Sequence, residues 1–488
     1  MTTTVAQNDT RFFGHPRGLA TLFFTEMWER FSYYGMRALL ILFMVAPVAS
    51  GGLGFDKTTA GAIYGLYTGS VYLMCLPGGW IADRILGPRR AVLFGGILIA
   101  CGHVSLFLPS VNTFYLGLFL IVMGTGLLKP NVSALVGSLY AKDDIRRDSG
   151  FSLFYMGINT GATFAPIFCG YVGQRVNWHW GFGLAALGMF AGLVQFFLGA
   201  KYFPELKPAQ TTVAENTSVL MKWGGLAVAL LLITGGLHFA GAIELTAVGI
   251  SNTFGVLLLL SVVISFGGLL LFGDWNKEER MRLWVVLILF LSACIFWSLF
   301  EQAGSTLNLF AEEHTLNEVF GMGFPASWMQ FVQPAALIVL APVIAAVWFK
   351  LGDRGPSTPM KFVAGLSCVG LSFLLMAAGA KTLAPGVKAS AMYLIGCYVL
   401  HAIGELCLSP VGLSAMTRLA PRNLVGLMMG LWFMATSVGN FISGRVAGLY
   451  EGMPIPELFT IVGMVGLVAA LFLLFMTKPI VRLMGGVR

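Results

Sequence analysis

Thirteen consecutive residues, TEMWERFSYYGMR from Thr25 to Arg37, put Glu26, Glu29, Arg30 and Arg37 inside a stretch apolar enough to cross a bilayer. On an α-helix, at about 100° per residue, these four and Tyr33 and Tyr34 fall within an arc of about 140°. One face of that helix is polar and has to point at partners or at a water-filled cavity. A purely structural ion-pair network accounts for the charges, but not for tyrosines on the same face. Four more charges sit singly in other apolar stretches: Lys129 in MGTGLLKPNVSALVG, Glu301 in CIFWSLFEQAGSTLNLF, Glu405 in HAIGELCLSPVGLSA, and Arg445, placed where it can snorkel. Each mid-membrane charge costs about 2.5–3.5 kcal/mol before pairing, so the set points to handling of charged groups or protons. Pro130 removes a backbone donor next to Lys129 and can open carbonyls toward a cavity, and Pro410 follows Glu405.

The elements that hold these residues follow from composition. Of 488 residues 11% are charged and 57% hydrophobic, with mean hydropathy +0.81. A soluble domain carries about 25% charge, and a disordered chain lacks such apolar content. Apolar runs predict fourteen membrane helices, at 18–46, 58–82, 91–109, 113–140, 150–172, 179–202, 222–241, 246–272, 283–311, 325–349, 361–380, 389–417, 424–449 and 456–478. The Gly-rich stretch Thr234 to Ser251 also fits a re-entrant pair. Of 30 Lys and Arg, 22 fall in the termini and one alternate set of loops, 4 in the other set (Lys57, Arg175, Lys381, Lys388). The bias predicts both termini in the cytoplasm. The net charge of +8 is then mostly a topology signal, and no nucleic-acid partner is expected. Seven cysteines, all in apolar stretches without CxxC spacing, read as buried small side chains. No cleavable signal peptide is expected at the polar N-terminus.

A weak duplication accompanies this pattern. GGWIADRILGPRR (Gly78 to Arg90) follows the second span and KLGDRGPSTPMK (Lys350 to Lys361) the tenth. With the middle pair of helices set aside, both turns close the second helix of a six-helix half, a hallmark of secondary transporters. The expected domains are a bundle at 1–202, a linker with two extra helices at 203–280, and a second bundle at 281–488. Channels need rings of like residues, which unlike charges on unlike helices do not supply. The six histidines are scattered and neither HExxH nor GxSxG occurs, so neither enzyme activity nor a metal site is expected.

These residues carry a resemblance. Glu26-x-x-Glu29-Arg30-Phe31-x-Tyr33-Tyr34-Gly35 resembles the ExxERFxYYG motif of the proton-dependent oligopeptide transporter family, a branch of the major facilitator superfamily. The turn at Gly79, Asp83, Arg84, Gly87 and Arg90 resembles the superfamily's loop signature. FSLFYMGINTG (Phe151 to Gly161) resembles the family's FxxFYxxINxG, and the blocks around Lys129, Glu301 and Glu405 are similar to further family blocks. The resemblance implies an all-α major facilitator fold of two six-helix bundles plus two extra helices, of the bacterial type, in the cytoplasmic membrane. It implies proton-coupled uptake of di- and tripeptides, with peptide-like drugs as further cargo, by a monomer in the lipid bilayer; protons are the only coupling agent and no cofactor is expected. Arg30 and Lys129, supported by Tyr34 and Tyr72, would receive the peptide carboxylate. Glu405, helped by Asn159, would hold the ammonium. Trp297 and Trp432 would line side-chain pockets, with Ser409 among the binding residues. Glu301 would pair with Lys129 in the empty carrier, and Glu26 and Glu29 would form a proton-coupling network around Arg30. Gln333 stands where the family places an Asn near the ammonium, so its contact is open. Arg37 would pair across the halves, and Asp83 and Arg84 would serve gating. The alternative is symport of another small solute, such as nitrate or an amino-acid conjugate.

A short peptide is a zwitterion whose ends lie about 7–10 Å apart along an extended backbone. Cations from one half and a carboxylate from the other would grip both ends and draw the halves together.

Overall fold

The computed structural model describes residues 9–141, 144–203, 213–319, 321–352, 355–421 and 424–485. Lys142, Lys207, Arg422 and Arg488 of the topology count, and Asp353 and Arg354 of the second Asp-Arg turn, lie outside them.

Among the described residues sixteen α-helices make fourteen spans. The first group comprises α1 (Arg17–Val45), α2 (Lys57–Leu73), α3 (Cys75–Ile81), α4 (Pro88–Phe107), α5 (Val111–Ser138), α6 (Arg147–Arg175) and α7 (Trp178–Gly199). Then come α8 (Val213–Phe239) and α9 (Ala247–Leu271). The last group is α10 (Lys277–Phe300), α11 (Thr306–His314), α12 (Val332–Leu351), α13 (Thr358–Ala380), α14 (Ala391–Leu419), α15 (Val425–Ala447) and α16 (Ile455–Leu483). Among the described residues nine helical stretches are by themselves long and apolar enough to cross a membrane. α1 falls short because four charges interrupt it. Start and stop signals are ordinary: Pro88 opens α4 after Gly87 at φ 77°, and Asn276 and Glu279 form a capping box on α10.

Two spans are broken. α2 gives way at Met74 to α3 and then to a π-helical turn, Ala82–Leu86, which carries Asp83 and Arg84. α10 ends at Phe300, and a 3₁₀ turn, Glu301–Gly304, leads into α11. Backbone groups freed inside a membrane are tolerated where they face protein or a cavity, so both breaks mark places the site can use. The stretch Thr234 to Ser251 is no re-entrant pair: Thr246 caps α9 by accepting the Gly249 N–H at 3.0 Å, and α8 and α9 are separate helices.

Helices α1 and α4 to α7 pack mainly on one another, as do α10 and α13 to α16. α9 packs on α2 and reaches α15, where Phe254 and Phe441 lie 5.7 Å apart. Across the groups, α2 and α15 cross closely. A Cβ on Gly61 would lie 2.5 Å from the Gly444 carbonyl oxygen, and one on Gly65 2.8 Å from that of Phe441. Small residues let the backbones approach this far. At the same end Lys57 pairs with Glu313 at 2.7 Å, Gln174 Nε2 donates to Glu312 at 2.8 Å, and Trp328 donates to the Ile167 carbonyl at 2.9 Å. Thr315–Leu316 pairs in parallel with Ala389–Ser390 beside a short hairpin, Glu318–Val319 with Met322–Gly323. Half-buried Arg445 lies at this end too, in the last turn of α15. The bonds joining the groups thus gather at the Lys57 end, and α1 begins and α16 finishes at the opposite one.

Candidate functional site

A cavity of about 230 Å³ lies between the groups. Arg30, Tyr34, Tyr72, Lys129, Asn159, Trp297, Gln333, Glu405, Ser409 and Trp432 all line it, as do Glu26, Arg37 and Glu301. Every substrate-binding position expected from the sequence is therefore brought together. Glu29 stands behind Arg30, fully buried, and Asp83 and Arg84 lie on an exposed turn away from the cavity.

The polar face of α1 supplies two clusters one above the other. In the lower, Arg30 Nε lies 3.0 Å from Glu26 Oε1 and contacts Glu29 Oε2, with all three side chains almost completely buried. Lys129 enters from α5 and places Nζ 3.8 Å from the Tyr72 ring centroid. This cation–π contact desolvates the ammonium without neutralising it. In the upper cluster, Arg37 Nη2 pairs with Glu301 Oε2 at 2.7 Å and also donates to the Glu301 carbonyl at 3.3 Å. Arg37 Nε donates to the Tyr64 hydroxyl at 2.8 Å.

The Glu301–Lys129 pairing is thus corrected: the partner of Glu301 is Arg37. Height along the bundle decides it. With about 1.5 Å of rise per residue, Lys129 stands only ~14 Å above the end of α5, whereas Arg37 and Glu301 stand ~30 and ~36 Å above the same end of α1 and α10. The 3₁₀ turn then offers both the carboxylate and the carbonyl of Glu301 to one guanidinium, a two-point contact suited to arginine. The cross-half pairing expected for Arg37 is present.

On the other wall, α14 presents Glu405. Gln333 Nε2 donates to its Oε2 at 2.8 Å and the Tyr155 hydroxyl to its Oε1 at 3.5 Å. Gln333 therefore orients the carboxylate through its longer amide. Asn159 Nδ2 donates to the Tyr155 carbonyl at 3.0 Å, which leaves its Oδ1 as an acceptor. Among the described residues neither Lys129 nor Glu405 has an oppositely charged side chain within ion-pair distance. The cavity thus carries one uncompensated cation on α5 and one uncompensated anion on α14.

Sequence reasoning missed Tyr155, Tyr398 and Gln330, which also line the cavity. Tyr398 donates to the Ala303 carbonyl in the α10 break at 3.4 Å. Helical spacing held a signal for two of them: Tyr155 precedes Asn159 by four residues and Tyr398 precedes Glu405 by seven, so each shares a face with a chosen residue.

Comparison with known proteins places the chain. The sequence profile described as POT family matches residues 89–461. An uncharacterized transporter, YclF, of Bacillus subtilis is 42% identical over 98% of this chain and 96% of its own. A di-/tripeptide transporter of Lactococcus lactis subsp. cremoris is 39% identical over 99% of both chains. A crystal structure of a peptide transporter POT in complex with sulfate superposes with a TM-score of 0.91, at 40% identity over 100% of both chains.

Proposed function

The chain belongs to the POT family of transporters, in the major facilitator fold and as a multi-pass protein of the bacterial inner membrane, and we propose that it takes di- and tripeptides into the cell together with protons. One observation carries the reading: Lys129 and Glu405, on helices of opposite halves, line one cavity and have no ionic partner among the described residues. A zwitterionic peptide supplies both missing charges, and its varied side chains are left to the aromatic walls formed by Trp297 and Trp432. Binding bridges the halves and favours their approach.

Proton coupling rests on the upper cluster. Arg37 on α1 and Glu301 in the α10 break hold the halves together at the Lys57 end. A proton on Glu301 ends the ion pair and leaves the Arg37 guanidinium facing a neutral carboxylic acid, which weakens the clamp and frees that end to open. Glu26 and Glu29 keep Arg30 compensated, so the carboxylate of the cargo meets the charge of Lys129 first. We assign both termini to the cytoplasm, since Arg11, Arg17, Arg84, Arg89, Arg90 and Arg146 crowd the end opposite Lys57. The structure then corresponds to a carrier closed to the outside. The halves divide near 203 and 280, protons act as the only coupling agent, and the unit is a monomer in lipid.

Purified protein in liposomes, loaded with unlabelled dipeptide and given radiolabelled dipeptide outside, tests the reading. Exchange blocked by excess di- and tripeptide, and not by nitrate or single amino acids, is the expected result. Exchange competed by those solutes and indifferent to peptides would overturn it.

A further inference from the structure

Away from the transport cavity, a second cavity of about 500 Å³ opens at the end of the bundle opposite Lys57. It lies between the end of α12, the start of α13 and the last turns of α14 and α16. Among the described residues that line it there is no carboxylate. Lys361 rests Nζ 4.4 Å from the Trp348 ring centroid and, among the described residues, has no carboxylate within ion-pair distance. Arg418 adds a second positive charge to the same cavity.

The hydroxyls point the same way. Thr358 is 5% exposed, lines the cavity, and its side chain makes no hydrogen bond among the described residues. A hydroxyl that lines a cavity without a protein partner is free to donate to, or accept from, whatever occupies it. Ser357 stands at the N-cap of the 23-residue α13, yet its side chain makes no capping bond. Pro359 has no N–H and that of Lys361 donates to the Ser357 carbonyl at 3.0 Å, so Thr358 and Met360 hold the first-turn N–H groups left without a capping side chain at the positive end of the helix. Lys361, the uncapped start of α13 and the Thr358 hydroxyl together offer positive charge and donors to a tetrahedral anion, with Arg418 on the same wall.

We propose that this cavity binds the phosphate of an anionic membrane phospholipid. The location argues for lipid: Phe349, Met360 and Val481, beside the cavity, are exposed apolar side chains on the outer surface of the bundle. Lys350, Lys478 and Arg482 add positive charge at the same end. Basic pockets at this depth, between helices and at the cytoplasmic boundary, match an anionic head group with its acyl chains along the apolar wall.

The test uses the full chain in phosphatidylcholine nanodiscs, with thermal unfolding followed while phosphatidylglycerol replaces part of the phosphatidylcholine. Phosphatidylglycerol should raise the midpoint saturably. Lys361→Gln should weaken that response about fivefold, the double variant with Arg418→Gln further, and Lys361→Arg should retain it. Thr358→Val should weaken it while leaving peptide exchange in phosphatidylcholine liposomes unchanged, which separates the site from misfolding. No response to phosphatidylglycerol, or an equal response in the double variant, overturns the proposal. A full response to inorganic phosphate at millimolar concentration, with none added by the lipid, overturns the lipid as its source.

Discussion

Replacing Glu301 with Gln isolates the proposed coupling step. The pair it breaks is 2.7 Å long and more than nine-tenths buried on both sides. Removing one partner of a buried ion pair costs about 3–5 kcal/mol. Glutamine keeps the shape and one accepting oxygen, and the Arg37 bonds to Tyr64 and to the residue-301 carbonyl do not depend on the substituted group. About half of the loss, ~2 kcal/mol, therefore falls on the state closed at the Lys57 end, a shift of about 30-fold in its equilibrium with the open state. The assay is paired: dipeptide accumulation in proteoliposomes under an imposed inward pH gradient, and peptide exchange without a gradient. The variant should exchange but no longer accumulate above the level reached without a gradient. Spin labels at exposed Ser50 and Glu451 should report a wider Lys57 end. Accumulation within twofold of the unsubstituted protein would refute the reasoning. Loss of exchange as well would move Glu301 from coupling to binding.

The two ends of the cargo can be separated chemically. Lys129→Gln should raise the KM for free dipeptides by about 10- to 100-fold, the worth of a charge-assisted hydrogen bond, and should leave C-terminally amidated peptides, already poor, unchanged. Glu405→Gln should do the same for the amino end, with N-acetylated peptides insensitive; competition of each peptide against a labelled dipeptide reads both. Gly65→Ala forces a Cβ to within 2.8 Å of the Phe441 carbonyl and should cost the Lys57-closed state about 1–3 kcal/mol, seen as a longer Ser50–Glu451 distance and slower exchange. His15, outside the spans, donates or accepts at 2.9 Å with the Tyr140 hydroxyl, and burial, with Arg146 nearby, lowers its pKa. A lowered histidine pKa gives stability that is complete above the unfolded value near 6.5 and declines as pH falls toward the folded value. Stability should accordingly fall as the pH drops below about 6.5, by at most ~1.4 kcal/mol per pH unit, and His15→Gln should flatten the profile of unfolding against pH.

The helices were legible because crossing a bilayer demands long apolar runs, and each of the fourteen runs corresponds to a span. The breaks were not: 283–311 reads as one apolar stretch, yet the chain turns at Glu301, because hydropathy measures transfer from water and carries no information on backbone register. Charges inside spans identified the site, since their cost leaves few reasons to keep them. Pairing among them was harder to read. The choice of Arg37 over Lys129 depends on the height of each helix in the bundle, a tertiary quantity absent from any one segment. Tyr155 and Tyr398 were overlooked because an aromatic in an apolar helix is usually core, and only its neighbours mark it otherwise. Gln333 shows the opposite case: the departure from Asn is plain in the sequence, and the longer amide reaches Glu405 all the same.

In the proposed binding mode the complementary charges of Lys129 and Glu405 also set how the carrier responds to voltage. A zwitterionic peptide brings no net charge, so the loaded cavity differs from the empty one only by any proton taken up with it. Each proton entering then carries one elementary charge through the field, worth about 2.3 kcal/mol per 100 mV, or roughly 50-fold in accumulation. A peptide with a lysine side chain would add its own charge to that current, and one with a glutamate would cancel it. In the proposed binding mode, the pair that grips the two ends of the peptide leaves the electrical driving force to be set by the cargo itself.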